Sequence, residues 1–313
     1  MRIVFFGTSS FAARVLTAVL EKKAQVVAVV TRPDRPKGRN LELSPPPVKE
    51  ALLQLRSAIP IYQPEKASTP EFAEILRSYE ADLFVVVAYG EIIKKNLLEI
   101  PKLGCVNIHA SLLPKYRGAA PVQRAIMDGV EETGITIIKM TPQMDAGDVI
   151  SMASISVLSE MTYGDLEPNL CLLGTFQILQ VIQQFEEGSV KSTPQDPSQV
   201  SFAPKLEPQE ERIDWLRAAQ EIHNQIRAFS PKPGAWCLVV VNGEERRLKI
   251  KRSEVVLTEQ GEPGEILHFG KVGWVVSCKT GALRLLEVQL EGKKALAVAD
   301  CIKGMPHRPS ICR

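Results

Sequence analysis

Apolar residues in the first half of the chain fall in short continuous runs, separated by stretches where they recur at helical spacing. RIVFF (2–6), QVVAVVT (25–31), DLFVVVA (82–88) and GCVNIH (104–109) are rich in Val, Ile and Phe. Runs of this kind predict strands buried on both faces. Between them, residues 10–22 and 47–57 carry apolar positions three and four apart, which predicts amphipathic helices. Alternating strands and helices predict an α/β fold: a doubly wound, mostly parallel, Rossmann-like sheet. Ligands of such a sheet bind beyond the carboxyl ends of its strands.

The pattern changes near residue 190. VKSTPQDPSQVSFAPKLEPQEER is rich in Pro, Ser and Gln and has no clear period. A helix is predicted over about 214–228 and is stopped by SPKPG (230–234). Short strand-like segments follow, AWCLVVV, RRLKIKR, GEILHFG, GWVVSC and ALRLLEVQL, with an Asn-Gly turn at 242–243. They predict a small OB-like β-barrel. The expected organisation is a first domain at 1–189, a linker at 190–206 and a β-barrel domain at 207–313.

Composition narrows the class. Of 313 residues, 45% are hydrophobic and 24% charged, as in a folded globular protein. No apolar run reaches the roughly 20 residues that span a bilayer, and MRIVFFGTSS is too short in its apolar part for a signal peptide. The six cysteines form no C-x-x-C pair and the four histidines are widely spaced. A cytoplasmic protein without a disulfide framework or a metal site is expected. A net charge of +2 selects no partner, although local charge is uneven.

GTSSFA follows the first strand where a dinucleotide-binding protein carries G-x-G-x-x-G, but only Gly7 is present, and no Walker loop occurs. Nicotinamide and ATP chemistry are disfavoured. NIHASLLPKYRG (107–118) offers more. Strand alternation puts Asn107 and His109 on one face at a carboxyl end. A carboxamide can donate to an oxyanion, and an imidazole can exchange a proton near neutrality. The same two residues serve equally well as strand-end caps. TPQMDAGDVI (141–150) places Asp145 and Asp148 in a turn, where either carboxylate could orient His109 or simply shape the turn.

NIHASLLPKYRGAAPVQRAI followed by MDAGDVI resembles the formyltransferases that use 10-formyltetrahydrofolate. The resemblance implies that Asn107, His109 and Asp145 are the catalytic set. Asn107 and a protonated His109 would donate to the oxyanion, and Asp145 would hold the imidazole cationic. It further implies folate contacts at Ser111, Leu112, Leu113 and Pro114, with Tyr89 and Gly90 on the neighbouring strand end. Phe6, Gly7 and Thr8 would line the side where the acceptor enters.

Within that family, FFGTSSFAARVL, TRPDRPKGR (31–39), FAPKLEPQEERIDW (202–215) and SPKPGAW resemble members whose acceptor is initiator methionyl-tRNA. RNA contacts are then expected from Arg32, Arg35, Lys37 and Arg39, on a loop stiffened by Pro33 and Pro36. A second set is expected at Arg247, Lys249 and Lys251, which alternation puts on one barrel face. The family often continues with basic residues after Arg39, where this chain has Asn40-Leu41-Glu42. No metal is implied, and a monomer is expected. An amino-sugar nucleotide formyltransferase and a non-catalytic RNA-binding protein are the competing readings.

Overall fold

A computed structural model describes residues 1–37, 42–270, 273–305 and 307–312. The chain divides into two compact units. Residues 1–118, 133–155 and 167–202 form the first, and residues 119–132, 156–166 and 203–313 form the second.

The first unit is built on a seven-stranded sheet. Its order is Val149–Ser156, Glu132–Lys139, Cys105–His109, Leu83–Val87, Arg2–Gly7, Gln25–Val30, Ile61–Tyr62. From Cys105–His109 to Ile61–Tyr62 neighbouring strands are parallel. Glu132–Lys139 runs antiparallel to Cys105–His109. The continuous apolar runs are what this position requires: Ile3 to Phe6 and Leu83 to Val87 are all buried. Because these strands run the same way, Gly7, Val87 and His109 all end on one edge of the sheet.

Helix Ser10–Glu21 starts at that edge, with Ser9 Oγ accepting the Ala12 N–H at 3.2 Å. A Cβ on Gly7 would stand 2.7 Å from both Ala12 Cβ and the Phe5 ring. Gly7 therefore serves close strand-to-helix packing. The predicted 47–57 helix is Pro47–Gln54. The Pro/Arg-rich segment includes a short antiparallel pair, Arg35–Lys37 with Glu42–Ser44. The 25-residue helix Tyr163–Glu187 is not among the elements the hydropathy pattern predicts.

The second unit contains a nearly closed antiparallel β-barrel. Its strands lie in the order Ile266–Gly270, Gly273–Ser277, Ala282–Leu290, Glu244–Val256, Trp236–Val241, Ser310–Cys312. Trp274, Ile250, Leu248 and Leu283 fill its core with Ile222, Ile226 and Phe229 from the helix Ala219–Phe229. That helix begins later than expected. Asp214 Oδ1 turns the chain by accepting the Leu216 N–H, and the Glu221 carboxylate accepts the Ala218 N–H, both at 3.0 Å. His223 on this helix is buried between the Ser253 hydroxyl at 2.9 Å and the Ser159 carbonyl at 3.0 Å.

Candidate active site

Asn107 and His109 sit at the end of the strand Cys105–His109, between Leu83–Val87 and Glu132–Lys139. Asn107 is half-buried, and its carboxamide has no hydrogen-bond partner among the described residues. His109 is buried, and its Nε2 lies 2.9 Å from the Tyr116 carbonyl oxygen. A carbonyl only accepts, so Nε2 carries the proton in that bond. Nδ1 then faces Asp145 Oδ2 at 3.6 Å.

The turn after the strand is held from within. Ser111 Oγ donates to the Lys115 carbonyl at 2.6 Å. Thr136 Oγ1 donates to the Ser111 carbonyl at 2.6 Å and accepts the Leu113 N–H at 3.1 Å. Leu113 is buried, while Leu112 and Pro114 are half-buried. Tyr116 lies in the left-handed region at φ 61°. These bonds fix where the Tyr116 carbonyl points, and so fix the imidazole ring.

Of the two candidate carboxylates, Asp145 is the one at the histidine. It adopts φ 50°, and its Oδ2 accepts the Gly118 N–H at 2.9 Å. Asp148 Oδ2 accepts the Ser192 hydroxyl at 3.4 Å instead. Gly147 lets the loop pass against its neighbour: a Cβ there would stand 1.6 Å from the Lys139 carbonyl oxygen.

Gln195 bridges the site, although the segment around it reads as linker. Its Nε2 donates to the carbonyls of Asp145 at 2.8 Å and Gly147 at 2.7 Å. Its Oε1 accepts from Arg117 Nε at 3.1 Å and Nη2 at 2.7 Å. Ser201 adds a hydroxyl accepting the Tyr116 N–H and a carbonyl accepting the Arg117 N–H, both at 2.9 Å. No period or motif marks Gln195, because its partners lie far away in sequence.

Burial pushes the His109 pKa below its ordinary 6.5. The Asp145 charge and the Tyr116 carbonyl pull it back up, and the Arg117 cation pushes it down. The expected role of a resting imidazolium donating to an oxyanion therefore meets two obstacles. Burial favours the neutral ring, and both ring nitrogens already face protein acceptors. A neutral base whose nascent positive charge Asp145 stabilises suits this geometry better.

Along the same sheet edge, Thr8 Oγ1 donates to the Tyr89 carbonyl at 2.7 Å. Phe6 is buried and meets the Tyr89 ring edge-on, with centroids 5.4 Å apart. The Tyr89 hydroxyl is buried near the Arg32 guanidinium and the Glu91 carboxylate, and burial lifts its pKa to about 12. Gly90, at φ 87°, has nothing within 4 Å of where a Cβ would stand, so its backbone is open to a ligand.

The basic residues divide. Arg32 Nη1 is held by Glu91 at 2.7 Å and by the Glu65 carbonyl at 3.1 Å. Arg35 is exposed and pairs with an equally exposed Glu65 at 2.8 Å. Arg39 and the Lys37 side chain lie outside the described residues. On the barrel, Arg247 is exposed and lies over the Trp236 ring, 4.1 Å from its centroid. Lys249 Nζ donates to the Pro233 carbonyl at 2.7 Å, and Lys251 Nζ to the Pro231 carbonyl at 2.6 Å. Simple alternation fails at Lys251 because the register shifts between Ile250 and Arg252, and this bulge leaves both Ile250 and Lys251 buried.

Two family models match the chain: "Formyl transferase" over residues 1–182 and "Formyl transferase, C-terminal domain" over residues 205–306. The chain belongs to the formyl transferase family. It is 50% identical over 305 residues to the methionyl-tRNA formyltransferase of Protochlamydia amoebophila, covering 97% of this chain and 95% of that protein. It is 42% identical over 311 residues to the methionyl-tRNA formyltransferase of Geobacter metallireducens, covering 99% and 98%. Solved structures share the formyl transferase fold. Methionyl-tRNA formyltransferase from Clostridium thermocellum matches with a TM-score of 0.54 at 17% identity, covering 81% of this chain and 93% of that one. HypX from Aquifex aeolicus in complex with tetrahydrofolic acid matches with a TM-score of 0.65 at 19% identity. That match covers 96% of this chain, which spans only 47% of HypX. Among the described residues of this formyl transferase, no helix is long and apolar enough to cross a membrane.

Proposed function

We propose that this chain transfers the formyl group of 10-formyltetrahydrofolate to the α-amino group of initiator methionyl-tRNA. We propose also that it acts as a cytoplasmic monomer. The observation that carries the reading is the His109–Asp145 pair, 3.6 Å apart, beside the unengaged carboxamide of Asn107. Near-full-length identity to two methionyl-tRNA formyltransferases supports the choice of acceptor.

The strand-end residues fit a folate. Gly90 offers open backbone, and Leu112 and Pro114 offer half-buried apolar surface. The buried Tyr89 hydroxyl adds a polar group at the same strand end. When bound, 10-formyltetrahydrofolate supplies the formyl carbon that the neutral amine attacks. Asn107 Nδ2 donates a hydrogen bond to the formyl oxygen as negative charge develops there. The His109–Asp145 pair takes the proton released by the amine, with the new positive charge on the imidazole facing the carboxylate. It would return that proton to the departing folate nitrogen as the formyl carbon–nitrogen bond breaks, so that tetrahydrofolate leaves. The Tyr116 carbonyl and the Gly118 N–H hold the two partners in register. Of the described basic residues expected to meet RNA, Arg35 and Arg247 are exposed and so free to approach phosphates.

The test is formyl transfer from 10-formyltetrahydrofolate to charged initiator and elongator tRNA, with an amino-sugar nucleotide as the alternative acceptor. Formylation of initiator methionyl-tRNA is expected. Formylation of the amino sugar alone would sink the reading, as would RNA binding without transfer to any acceptor.

A further inference from the structure

We infer that Gln195 is a positioning residue that sets the Asp145 carboxylate against His109, with Arg117 as its fixed counterpart; this rests on the acid–base role proposed for that pair. Asp145 sits in the left-handed region at φ 50°, a conformation that is less favourable for a residue with a side chain than for glycine and that contacts around it help to hold. The Gln195 carboxamide supplies the hold. Its two N–H bonds reach the carbonyls of Asp145 and Gly147, on either side of the turn in the loop. Its oxygen is taken by two N–H groups of Arg117.

Arg117 is itself buried, at 8% exposure, and stands between the two residues that define the histidine–carboxylate pair. Tyr116, on one side of it, gives the carbonyl that holds His109 Nε2. Gly118, on the other, gives the N–H that holds Asp145 Oδ2. One carboxamide thus ties the loop that carries Asp145 to the turn that orients His109. Every polar atom of the Gln195 side chain is used: the planar amide gives two N–H donors to the loop carbonyls and one oxygen to Arg117. The Pro/Ser/Gln-rich segment after the long helix becomes part of the site's support, and Ser201 extends that support to the backbone of Tyr116 and Arg117.

Two variants test this. Gln195→Met removes all four hydrogen bonds at similar volume. Gln195→Glu keeps an acceptor for Arg117 but cannot donate to the loop carbonyls. Both are expected to lower kcat by about 10²-fold, the usual cost of misplacing a reacting group by about 1 Å. KM for methionyl-tRNA should be unchanged. Gln195→Met placed on Asp145→Asn should cost nothing further, because its effect runs through that carboxylate. Full kcat in Gln195→Glu, or a further large loss on the Asp145→Asn background, overturns the inference. Gln195→Glu decides alone should Gln195→Met not fold.

A second readout needs no substrate. The charged groups facing His109 are Asp145 and Arg117. Titrating the His109 ring by NMR should give a lower midpoint in Gln195→Met, moving towards that of Asp145→Asn. An unmoved midpoint overturns the inference whatever the acceptor proves to be.

Discussion

His109 Nδ1 stands 3.6 Å from Asp145 Oδ2, just beyond hydrogen-bonding range, while its Nε2 is bound at 2.9 Å to the Tyr116 carbonyl. The ring is therefore oriented by its backbone partner and left with one basic nitrogen facing a carboxylate. Such a pair gains most when the ring becomes charged, which is when an attacking amine must lose its proton. Asn107, on the same face of the strand, is the residue to which the proposed reaction gives the oxyanion.

The first prediction separates those two roles from folding. Asn107→Ala removes an oxyanion donor and should lower kcat by about 10²–10³-fold. His109→Ala removes the base and should cost a comparable factor, about 10²–10⁴-fold. Circular dichroism and melting curves should stay close to wild type for Asn107→Ala. Near-normal turnover in either variant would refute the assignment.

The two aspartates should behave differently. Asp145→Asn removes the charge at the histidine and should lower kcat by at least about 10²-fold. Asp148→Asn keeps an oxygen for the Ser192 hydroxyl and should stay within a few-fold of wild type. Single-turnover formylation of both variants makes the comparison, and equal losses would place the carboxylate role elsewhere.

The pH profile follows from the direction of the His109 shift. Burial lowers its pKa, so the ring is neutral at and above neutrality and becomes protonated only below about 6.5. A neutral base predicts that kcat/KM rises with pH through an acid limb lying below 6.5 and is then level until another group titrates. Asp145 raises the ring's pKa, so Asp145→Asn should move that limb to still lower pH. An acid limb above 7 in the wild-type enzyme would contradict the neutral-base assignment.

Salt dependence sorts the basic residues. An exposed cation that meets a phosphate contributes about 0.9 to the slope of log K against log salt. Arg35→Ala and Arg247→Ala should each reduce the slope by about that amount in tRNA-binding titrations. Lys251→Met should leave the slope alone, because its ammonium is committed to the Pro231 carbonyl. It should instead destabilise the fold by about 1.5–3 kcal/mol, the range for a hydrogen bond to a charged group. A slope change for Lys251→Met would show that the lysine leaves its pocket to bind RNA.

The second buried histidine predicts a stability effect rather than a catalytic one. Burial lowers the His223 pKa, and Arg227 acts in the same direction against the Ser159 carbonyl and Glu160. The folded value then lies below the unfolded one of about 6.5. Its contribution to stability is complete above 6.5 and is lost as pH falls from there through the folded pKa. The melting temperature should drop between pH 7.5 and pH 5.5, and His223→Gln should shrink that drop. An identical drop in the variant would remove His223 as its source.

The sequence by itself determined whatever depends on near neighbours. Two-residue alternation was enough to put Asn107 and His109 on one face, and the Val/Ile runs were enough to predict a parallel sheet whose strand ends gather the site. The order of motifs was enough for the family. Periodicity stops being informative where geometry is set across long separations. By spacing alone Asp145 and Asp148 are equivalent turn residues; the family resemblance pointed to Asp145, and the Gly118 N–H and the His109 ring are what set it apart in space. Alternation placed Lys251 beside Arg247, but a bulge rotated it inward, since the pairing strand sets the register rather than the lysine's own segment. Gln195 lies 50 residues beyond the aspartate it holds, in a segment whose composition reads as linker. Tertiary structure decided these points because a hydrogen bond depends on distance in space, and chain separation does not predict that distance.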